Sequence, residues 1–344
     1  MGVQLKEIIT KKEVDFAFFK GKILVIDAHN NLYQYLTTIR QRDGSPLTDS
    51  HGNVTSHLSG LLNRTVNLIS LGINVAFVFD GKPPELKKEE LEKRKSLKIA
   101  AQKKYEVARE RGDIEEMRKQ ASRTSRLTEE MIREAKELIK AFGLPAIQAP
   151  SEGEAQAAYI VKKGDAFASV SQDYDSLLFG APKLVQNLTS SRRKMPNKQL
   201  YERVMPCLIS LDENLNNLGI DSDQLIALAM LVGTDFNPGG IRGIGPKNAL
   251  KLVKEHKKDF NKLFSHVKWD DYISASWEEI FSIFKEMPVS EDYSLEWSEP
   301  DTEKIIKILV DKHDFSEERV NNTLSKLKKK SFDKAQKGLN DFFN

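Results

Sequence analysis

The stretch that decides the fold is PSEGEAQAAYIVKKGDAFASVSQDYD, residues 150–175. It holds two close pairs of acidic residues: Glu152 and Glu154, then Asp173 and Asp175. A helical pattern and a strand-like apolar run, residues 166–170, lie between the pairs, and the second pair comes where that run ends. Ligands of parallel α/β sheets bind just outside the carboxyl ends of the strands. The second pair is therefore predicted to face a binding site.

Two more apolar runs end in aspartate, KILVID at residues 22–27 and VAFVFD at residues 75–80. Continuous apolar runs of this length are typical of strands buried on both faces. A seventh acid, Asp235, follows the apolar helical run 225–232. We expect the seven acids, which include Asp27 and Asp80, to converge on one pocket. Because like charges at such distances repel strongly, the pocket requires hard divalent cations, and Mg²⁺ is the natural candidate.

Each acid also has a simpler interpretation. An aspartate after a strand is often a turn former or the N-cap of the next helix. Residues 151–154 (SEGE) fit a capping box, in which Glu154 would contact the backbone and hold no metal. For a single aspartate this interpretation is favoured, but for the whole set it requires a series of coincidences. The set therefore predicts a shared metal site.

Composition limits the class of protein. A chain of 344 residues with 40% hydrophobic residues can form two domains, or one large α/β core with a smaller appendage. The single cysteine, Cys207, excludes an intrachain disulfide and indicates a reducing compartment. No apolar run approaches the ~18 residues that a membrane span needs, and no signal-peptide core is visible. These features predict a cytoplasmic protein without membrane contact.

Residues 85–126 are rich in Lys and Arg, and their apolar residues are few and scattered. Lys87, Arg94 and Lys98 fall on one face of a predicted helix. A charge run of this kind can be a solvated helical hairpin or a coiled-coil arm. Beside an acidic metal pocket, a basic element that holds a polyanion is the favoured interpretation.

Glycines are concentrated in NPGGIRGIGPKNAL, residues 237–250. This turn joins two helical patterns, as in helix-hairpin-helix elements, where backbone N–H groups bind a DNA phosphate. An ordinary glycine-rich connector is the alternative. Upstream, residues 183–188 and 199–204 are predicted to be strands around a polar turn.

The motifs together carry a family resemblance. They are IDAHNNLYQ, TSHLSGLLNR, VFDGKPPELK, APSEGEAQAAY, SQDYDSLLFG, LVGTDFNPGGIRGIGPKNAL and QKGLNDFF, in that order. The chain resembles, over essentially its whole length, the archaeal-type flap endonucleases of the XPG/Rad2-like structure-specific 5′-nuclease superfamily. The resemblance implies a PIN-like α/β fold: a mixed, largely parallel sheet flanked by helices, with a helical arch and a helix–two-turn–helix element. The implied regions are an N-terminal nuclease region (1–98), the arch (85–126), an internal nuclease region (116–258) with a helix-hairpin-helix at 235–252, a C-terminal helical region (259–330) and a clamp-binding tail (336–343).

The activity implied by the resemblance is cleavage of 5′ flaps in branched DNA, with 5′–3′ exonuclease activity, during replication (Okazaki fragment processing) and repair. Two Mg²⁺ ions, for which Mn²⁺ can substitute, would carry out phosphodiester hydrolysis. The first ion would be held by Asp27, Asp80, Glu152 and Glu154, and the second by Asp173, Asp175 and Asp235. Glu154 could also contact the second ion. Lys87 and Arg94 would stabilise charge on the scissile phosphate, so the implied catalytic residues are Lys87, Arg94 and Asp175.

Further residues match family positions that bind DNA, ions or partners. The implied DNA contacts are Gly2, Tyr33, Arg40, Arg64, Glu152, Gly233, Asp235 and Lys247. Gly240, Ile241 and Ile244 match a monovalent-cation site that would take K⁺. Gln336, Leu339, Phe342 and Phe343 match the motif that binds the sliding clamp (PCNA), a docking mode in which a helical turn enters an apolar pocket. The protein is expected to be a monomer. The resemblance does not identify which arch residues beyond Lys98 contact the 5′ strand.

Two alternatives remain at this point. A non-catalytic DNA-binding adaptor for the sliding clamp would use the basic segment and the glycine turn, but it has no use for seven carboxylates that repel phosphates. A PIN-like phosphatase or ribonuclease with a single metal site would need neither the arch nor the tail.

Overall fold

A seven-stranded sheet forms the centre of the computed structural model, which describes residues 2–41, 43–189, 192–194 and 201–327. The strands are β1 (Lys12–Glu13), β2 (Ile23–Asp27), β3 (Asn74–Phe79), β4 (Ala146–Gln148), β5 (Ala168–Val170), β6 (Lys183–Gln186), β7 (Arg192–Lys194), β8 (Tyr201–Arg203) and β9 (Cys207–Ser210). Their order across the large sheet is β1-β9-β6-β5-β2-β3-β4, and β7 and β8 form a separate two-stranded sheet.

The large sheet is mixed and mostly parallel. Neighbours from β6 through β5, β2 and β3 to β4 pair in parallel, whereas β9 and β1 add an antiparallel edge. The predicted sheet type is therefore confirmed. The apolar residues of β2 and β3 are almost all buried, as continuous apolar runs in strands covered on both faces should be.

Helices pack on both faces of this sheet. They are α1 (Ala28–Thr38), α2 (Ser56–Gly60), α3 (Val66–Ser70), α4 (Lys88–Glu110), α5 (Ile114–Ala121), α6 (Glu129–Ala141), α7 (Gly153–Lys163), α8 (Asp175–Leu178), α9 (Leu211–Leu218), α10 (Ser222–Val232), α11 (Pro246–His256), α12 (Phe260–His266), α13 (Trp277–Glu286) and α14 (Thr302–Ile306). Shorter helical turns lie at Phe16–Phe19, Leu61–Thr65, Glu85–Lys87, Ser122–Thr124, Trp269–Asp271 and Lys307–Asp311, and residues 317–327 are helical. Leu24 and Ile26 of β2 pack in one core with α1, α2 and α6, whereas Val25 packs in another with α7. Successive strand side chains point to opposite faces, so one strand contributes to both cores.

Helix α10 is the centre of a further apolar core. Eight of its eleven residues are buried, and α11, α12 and α13 pack around it. Asp221 and Gln224 form a reciprocal capping box that fixes where the helix begins. The predicted apolar helical run at residues 225–232 is thus confirmed. Among the described helices, α10 included, none is both long enough and apolar enough to cross a membrane.

The basic segment 85–126 forms a helical hairpin. Helices α4 and α5 pack against each other, and Gly112 between them has a φ of +68°, a conformation that glycine adopts without strain. Ala101, Ala108 and Met117 are buried, while Leu97 is 61% exposed. The hairpin therefore buries few large apolar side chains.

The segments at residues 183–188 and 199–204, both predicted to be strands, contain β6 and β8. Strand β6 pairs antiparallel with β9, not with the segment at residues 199–204, and β8 from that segment pairs with β7. Strands β9 and β4 have four and three residues, too short for the period-two pattern by which a strand is recognised in sequence.

Candidate active site

The carboxyl ends of four neighbouring parallel strands, β5, β2, β3 and β4, lie side by side at one end of the sheet. From β2 the chain proceeds to β3 and β4 on one side, and then crosses to β5 and β6 on the other. The switch point between β2 and β5 is where open α/β sheets form their binding crevice. Asp27 ends β2 and Asp80 follows β3, while the two acidic pairs of residues 150–175 follow β4 and β5. The fold thus brings six of the predicted acids to the carboxyl ends of these strands.

Asp27 and Asp80 each have one oxygen fixed by a backbone N–H. Asp27 is the N-cap of α1, and its Oδ1 accepts from the Asn30 N–H at 3.1 Å. Asp80 Oδ1 accepts from the Gly153 N–H at 2.7 Å. His29 accepts from the Asp80 N–H at 3.1 Å through Nδ1. Asp27 can therefore cap α1 and still bind an ion in the pocket, because the cap uses only one of its two carboxylate oxygens.

The capping-box interpretation of residues 151–154 is wrong. Helix α7 begins at Gly153, its N-cap is Glu152, and that side chain makes no capping hydrogen bond. Glu154 Oε1 instead accepts from the Ser171 hydroxyl at 2.7 Å, which directs it toward the loop after β5. Both glutamates are therefore available to the pocket.

Asp173 and Asp175 are held by the first turn of α1 and by the first residues of the chain. Asp173 Oδ2 accepts from Asn30 Nδ2 at 2.9 Å, and Asp175 Oδ1 accepts from the Val3 N–H at 2.9 Å. A Cβ added at Gly2 would lie 2.6 Å from Asp173 Cβ and 2.9 Å from Asp175 Oδ2. The structure therefore places Gly2 against two of the predicted metal ligands.

Asp235 joins the pocket from the other side, after α10. The turn is fixed by Asn237, whose Oδ1 accepts from the Thr234 hydroxyl at 2.6 Å and whose Nδ2 donates to the Met230 carbonyl at 2.7 Å. Lys87 Nζ lies 2.5 Å from Glu152 Oε2 and 3.4 Å from Asp235 Oδ2, so it bridges the two acids. All seven predicted carboxylates are therefore linked in one region.

Burial and mutual repulsion raise the pKa of several of these carboxyls. Burial, followed by the charge of Asp80, raises the pKa of Asp27 well above its usual range. Burial and Asp175 do the same for Glu154. For Asp175, burial together with Asp235 and Asp173 raises the pKa to about 7. Burial also raises the pKa of Glu152, although Lys87 opposes the shift. Full ionisation at neutral pH therefore requires added positive charge.

Helix α4 and the turn before it supply some of that charge. Arg94 Nη2 lies 2.5 Å from Asp235 Oδ1, and Arg94 Nε lies 2.8 Å from Glu90 Oε1. Burial alone would lower the pKa of Lys87, but Glu152 and Asp235 raise it above the normal value. The two predicted catalytic cations therefore lie in the acidic pocket.

The seven carboxylates are suitable ligands for a divalent metal. Among the described residues, however, no three histidine, cysteine or acidic side chains are close enough together to hold an ion. Carboxylate oxygens are the ligands that Mg²⁺ prefers, and buried acids with raised pKa values indicate an unmet need for cations. Lys87 and Arg94 meet part of that need in this arrangement. The seven carboxylates fit the divalent ions that the sequence predicts.

The other predicted DNA contacts Tyr33, Arg40 and Arg64 lie on α1 and in the turns after α1 and α2. The Lys98 ammonium donates to the Tyr33 hydroxyl at 3.2 Å and lies 4.7 Å from the centre of its ring. Arg40 donates to the Gly44 carbonyl at 2.7 Å and to the Ser125 hydroxyl, which connects it to the end of the helical hairpin. Arg64 is half-buried in the turn between α2 and α3, and burial lowers the pKa of its guanidinium.

The glycine turn joins α10 to α11 as predicted. A Cβ at Gly240 would lie 2.4 Å from the Leu231 carbonyl oxygen and 2.5 Å from the Gly233 nitrogen, so two glycines touch where the backbone crosses itself. Ile241 is buried, with its N–H donating to the Leu231 carbonyl, and Ile244 donates to the Ile241 carbonyl at 3.0 Å. Lys247 is exposed at the start of α11, 3.9 Å from Glu7. The clamp-binding residues Gln336, Leu339, Phe342 and Phe343 lie outside the described residues.

Sequence reasoning missed the residues that hold the acids in place. Asn30 contacts Asp27 at the end of β2 and Asp173 in the loop after β5. Ser171 orients Glu154, and Glu90 contacts Arg94. Only Glu90 had a usable signal, its i, i+4 spacing from Arg94 on a helix.

Comparison with known proteins gives the family. The XPG N-terminal domain model matches residues 1–101, and the XPG I-region model matches residues 143–235. Flap endonuclease 1 of Thermofilum pendens is 54% identical over 332 residues, covering 96% of this chain and 95% of the relative. The chain belongs to the flap endonuclease family. Flap endonuclease 1 of Pyrococcus furiosus is 51% identical over 344 residues, covering 100% of this chain and 99% of the relative.

Solved structures agree with this assignment. Flap endonuclease-1 from Methanococcus jannaschii is 44% identical with a TM-score of 0.75, covering 95% of this chain and 98% of that one. The catalytic core of Rad2 in complex with DNA substrate, 23% identical with a TM-score of 0.69, covers 95% of this chain and 100% of its own, and shows a shared fold. As a flap endonuclease family member the protein is a nuclease that hydrolyses DNA phosphodiester bonds, and dependence on divalent metal is general in that family. A non-catalytic adaptor is thereby excluded.

Proposed function

We propose that the protein is a structure-specific nuclease that removes 5′ flaps from branched DNA and also acts as a 5′–3′ exonuclease, in replication and repair. The observation that carries the proposal is the joining of seven carboxylates from β2, β3, α7, the loop after β5 and the end of α10 with two cations from residues 87–94. Phosphodiester hydrolysis needs both groups, because ions held by carboxylates activate water while cations stabilise charge on the phosphate.

Two Mg²⁺ ions, replaceable by Mn²⁺, are proposed for this pocket. One would be held by Asp27, Asp80, Glu152 and Glu154, and the other by Asp173, Asp175 and Asp235. Bound Mg²⁺ supplies a water of lowered pKa and stabilises negative charge on phosphate oxygens. The chain's own part is to fix the carboxylates through the Asn30, Val3 and Gly153 contacts.

Lys87 and Arg94 are proposed to move from carboxylates to phosphate oxygens when DNA binds. Both are already charged and largely buried beside the pocket, so they need little reorganisation. Tyr33 presents an aromatic ring on which a base can stack once Lys98 shifts. The hairpin 85–126 would be the arch that receives the 5′ strand.

The other expected contacts complete the proposal. Arg40 and Arg64 would contact the duplex, and the turn containing Gly233 and Lys247 would contact a phosphate, with K⁺ held at Gly240, Ile241 and Ile244. The tail residues that would dock on the sliding clamp are Gln336, Leu339, Phe342 and Phe343. The protein itself would be a monomer inside the cell. The proposed regions are an N-terminal nuclease region (1–98), the arch (85–126), an internal nuclease region (116–258), a C-terminal helical region (259–330) and the clamp-binding tail (336–343).

The test uses double-flap DNA labelled at the 5′ end, with Mg²⁺ or with chelator, and compares the wild type with Asp175→Ala. Asp212→Ala, an exposed aspartate on α9, is the matched control. We expect metal-dependent release of the intact flap by wild type and control, and loss of release in Asp175→Ala with binding retained. Binding without metal-dependent cleavage by the wild type would refute the proposal.

A further inference from the structure

Glu90 is a buried acid on an otherwise exposed stretch of α4. The residue is 9% exposed, whereas its neighbours Leu91 and Glu92 are exposed. Its Oε1 accepts from Arg94 Nε at 2.8 Å. We propose that Glu90 is a positioning residue, which holds the Arg94 guanidinium in the orientation that the cleavage step uses. This inference rests on the proposed role of Arg94 at the scissile phosphate.

The geometry assigns separate tasks to the two ends of the guanidinium. An arginine side chain offers five N–H donors in a rigid planar fork. Glu90 takes the Nε donor, and the Nη2 donor points at Asp235 Oδ1, 2.5 Å away. With Nε anchored, the plane of the fork is fixed and its outer edge stays turned toward the pocket. Arg94 can then exchange Asp235 for a phosphate oxygen without losing its orientation.

The contact differs from the ordinary ion pairs of the same hairpin. Lys88 and Glu85 also pair, but their side chains are 64% and 72% exposed, and such pairs contribute little. The Glu90 side chain is only 11% exposed and lies near a pocket that is already acidic. By itself its charge would repel a DNA phosphate. Glu90 therefore assists the reaction only through the cation it holds.

Two substitutions separate positioning from helix stability. Methionine and glutamine are both good helix formers of similar size, but only glutamine keeps an oxygen that accepts from Arg94 Nε. Glu90→Met should lower the single-turnover cleavage rate of saturating double-flap DNA with Mg²⁺ by roughly 10- to 100-fold, because a fork misplaced by about 1 Å loses its contact. Glu90→Gln should recover most of that rate. Glu92→Met, an exposed glutamate on the same helix, should match the wild type.

A double-variant comparison identifies Arg94 as the route of the effect. If Glu90 acts through Arg94, then Arg94→Ala combined with Glu90→Met should be no slower than Arg94→Ala alone. The dissociation constant of the DNA complex should change less than twofold in Glu90→Met, since the duplex contacts lie elsewhere.

The outcomes distinguish this inference from the proposed function. A slow Arg94→Ala with a fully active Glu90→Met overturns the positioning role and leaves the nuclease proposal intact. Additive losses in the double variant also overturn it, because Glu90 would then act independently. A fully active Arg94→Ala removes the proposed role of Arg94, on which the inference rests.

Discussion

Lys87 Nζ lies 2.5 Å from Glu152 Oε2, so a cation that precedes helix α4 fills part of the acidic pocket. The same ammonium is 3.4 Å from Asp235 Oδ2. One side chain thus joins the hairpin 85–126 to acids that follow β4 and α10. Any divalent ion that binds Glu152 competes with this lysine, which links metal binding to the position of the hairpin.

Lys87→Met should therefore increase the thermal stabilisation that Mg²⁺ provides and decrease the rate of cleavage. Without metal, Glu152 loses its partner beside Asp235, and the variant should melt at a lower temperature. Added Mg²⁺ should raise its melting temperature by more than that of the wild type, because the competing cation is gone. Single-turnover cleavage should fall by roughly 10²- to 10³-fold, the usual loss for one charge-stabilising donor. Thermal melts with and without Mg²⁺, and quenched-flow cleavage, provide the measurements.

The control for this experiment is Lys88→Met, which removes an exposed lysine of the same hairpin. It should change neither the melting response nor the cleavage rate appreciably. An equal Mg²⁺ response in the wild type and Lys87→Met would show that Lys87 does not compete with the ion.

Gly2→Ala should slow cleavage without unfolding the protein. The new Cβ would lie 2.6 Å from Asp173 Cβ and 2.9 Å from Asp175 Oδ2, so those acids or the Val3 hydrogen bond must shift. A displacement of this size costs roughly 10- to 100-fold in rate. Single-turnover assays measure the loss, with the exposed Lys6→Ala as comparison. Wild-type rates in Gly2→Ala would argue against close packing of residue 2 on the pocket.

Gly240→Ala should destabilise the protein far more than Gly239→Ala. Both residues have positive φ, +54° and +92°, so both substitutions introduce backbone strain. Only at Gly240 does the added Cβ meet backbone atoms, including the Leu231 carbonyl oxygen at 2.4 Å, whereas Gly239 faces open space. We expect the free energy of unfolding to fall by at least about 2 kcal/mol more in Gly240→Ala. Denaturant titration of both variants checks this, and equal losses would contradict the close approach.

A buried charge network away from the pocket predicts acid sensitivity. Glu134 on α6 accepts from His313 Nε2 at 3.0 Å and from Lys312 at 2.5 Å, and His57 Nε2 is 3.8 Å away. His313 Nδ1 also contacts Asp49 at 2.9 Å. Burial alone would raise the pKa of Glu134, but His57, Lys312 and His313 together lower it to about 2.

A lowered pKa means that the ionised form of Glu134 stabilises the fold. This contribution is present above the ordinary pKa near 4.5 and is lost as the pH falls through about 2. Glu134→Gln should therefore reduce the free energy of unfolding by up to about 3 kcal/mol at pH 6, and by less at each step toward pH 2. Denaturant titrations across this range test it, with the exposed Glu137→Gln on the same helix as control. A deficit that stays constant with pH would exclude this origin.

Much of the fold could be predicted because its central strands are long and apolar. The runs ending at Asp27 and Asp80 became β2 and β3, the best-buried strands, and their position predicted where the acids would meet. The composition of residues 85–126 predicted a basic helical element, and the helical hairpin that these residues form was one of the alternatives. These features are local, so a single sequence displays them.

The details of the site were not predictable because they depend on distant partners. Lys87 and Glu152 are 65 residues apart, and Asn30 and Asp173 are 143 apart, so no spacing rule connects them. The capping-box pattern at residues 151–154 was misleading for the same reason. Ser171, which competes successfully for Glu154, lies one helix and one strand further along the chain.

Asp235 is the last of the seven acids along the chain, and it is the one that Arg94 contacts. A ribosome that has released residues 1–232 has produced the whole parallel part of the sheet and six acids, but not the seventh. The pocket is thus completed only when the end of α10 packs beside the sheet that carries the other six acids. A nascent chain that ends before Asp235 therefore lacks one of the seven predicted ligands.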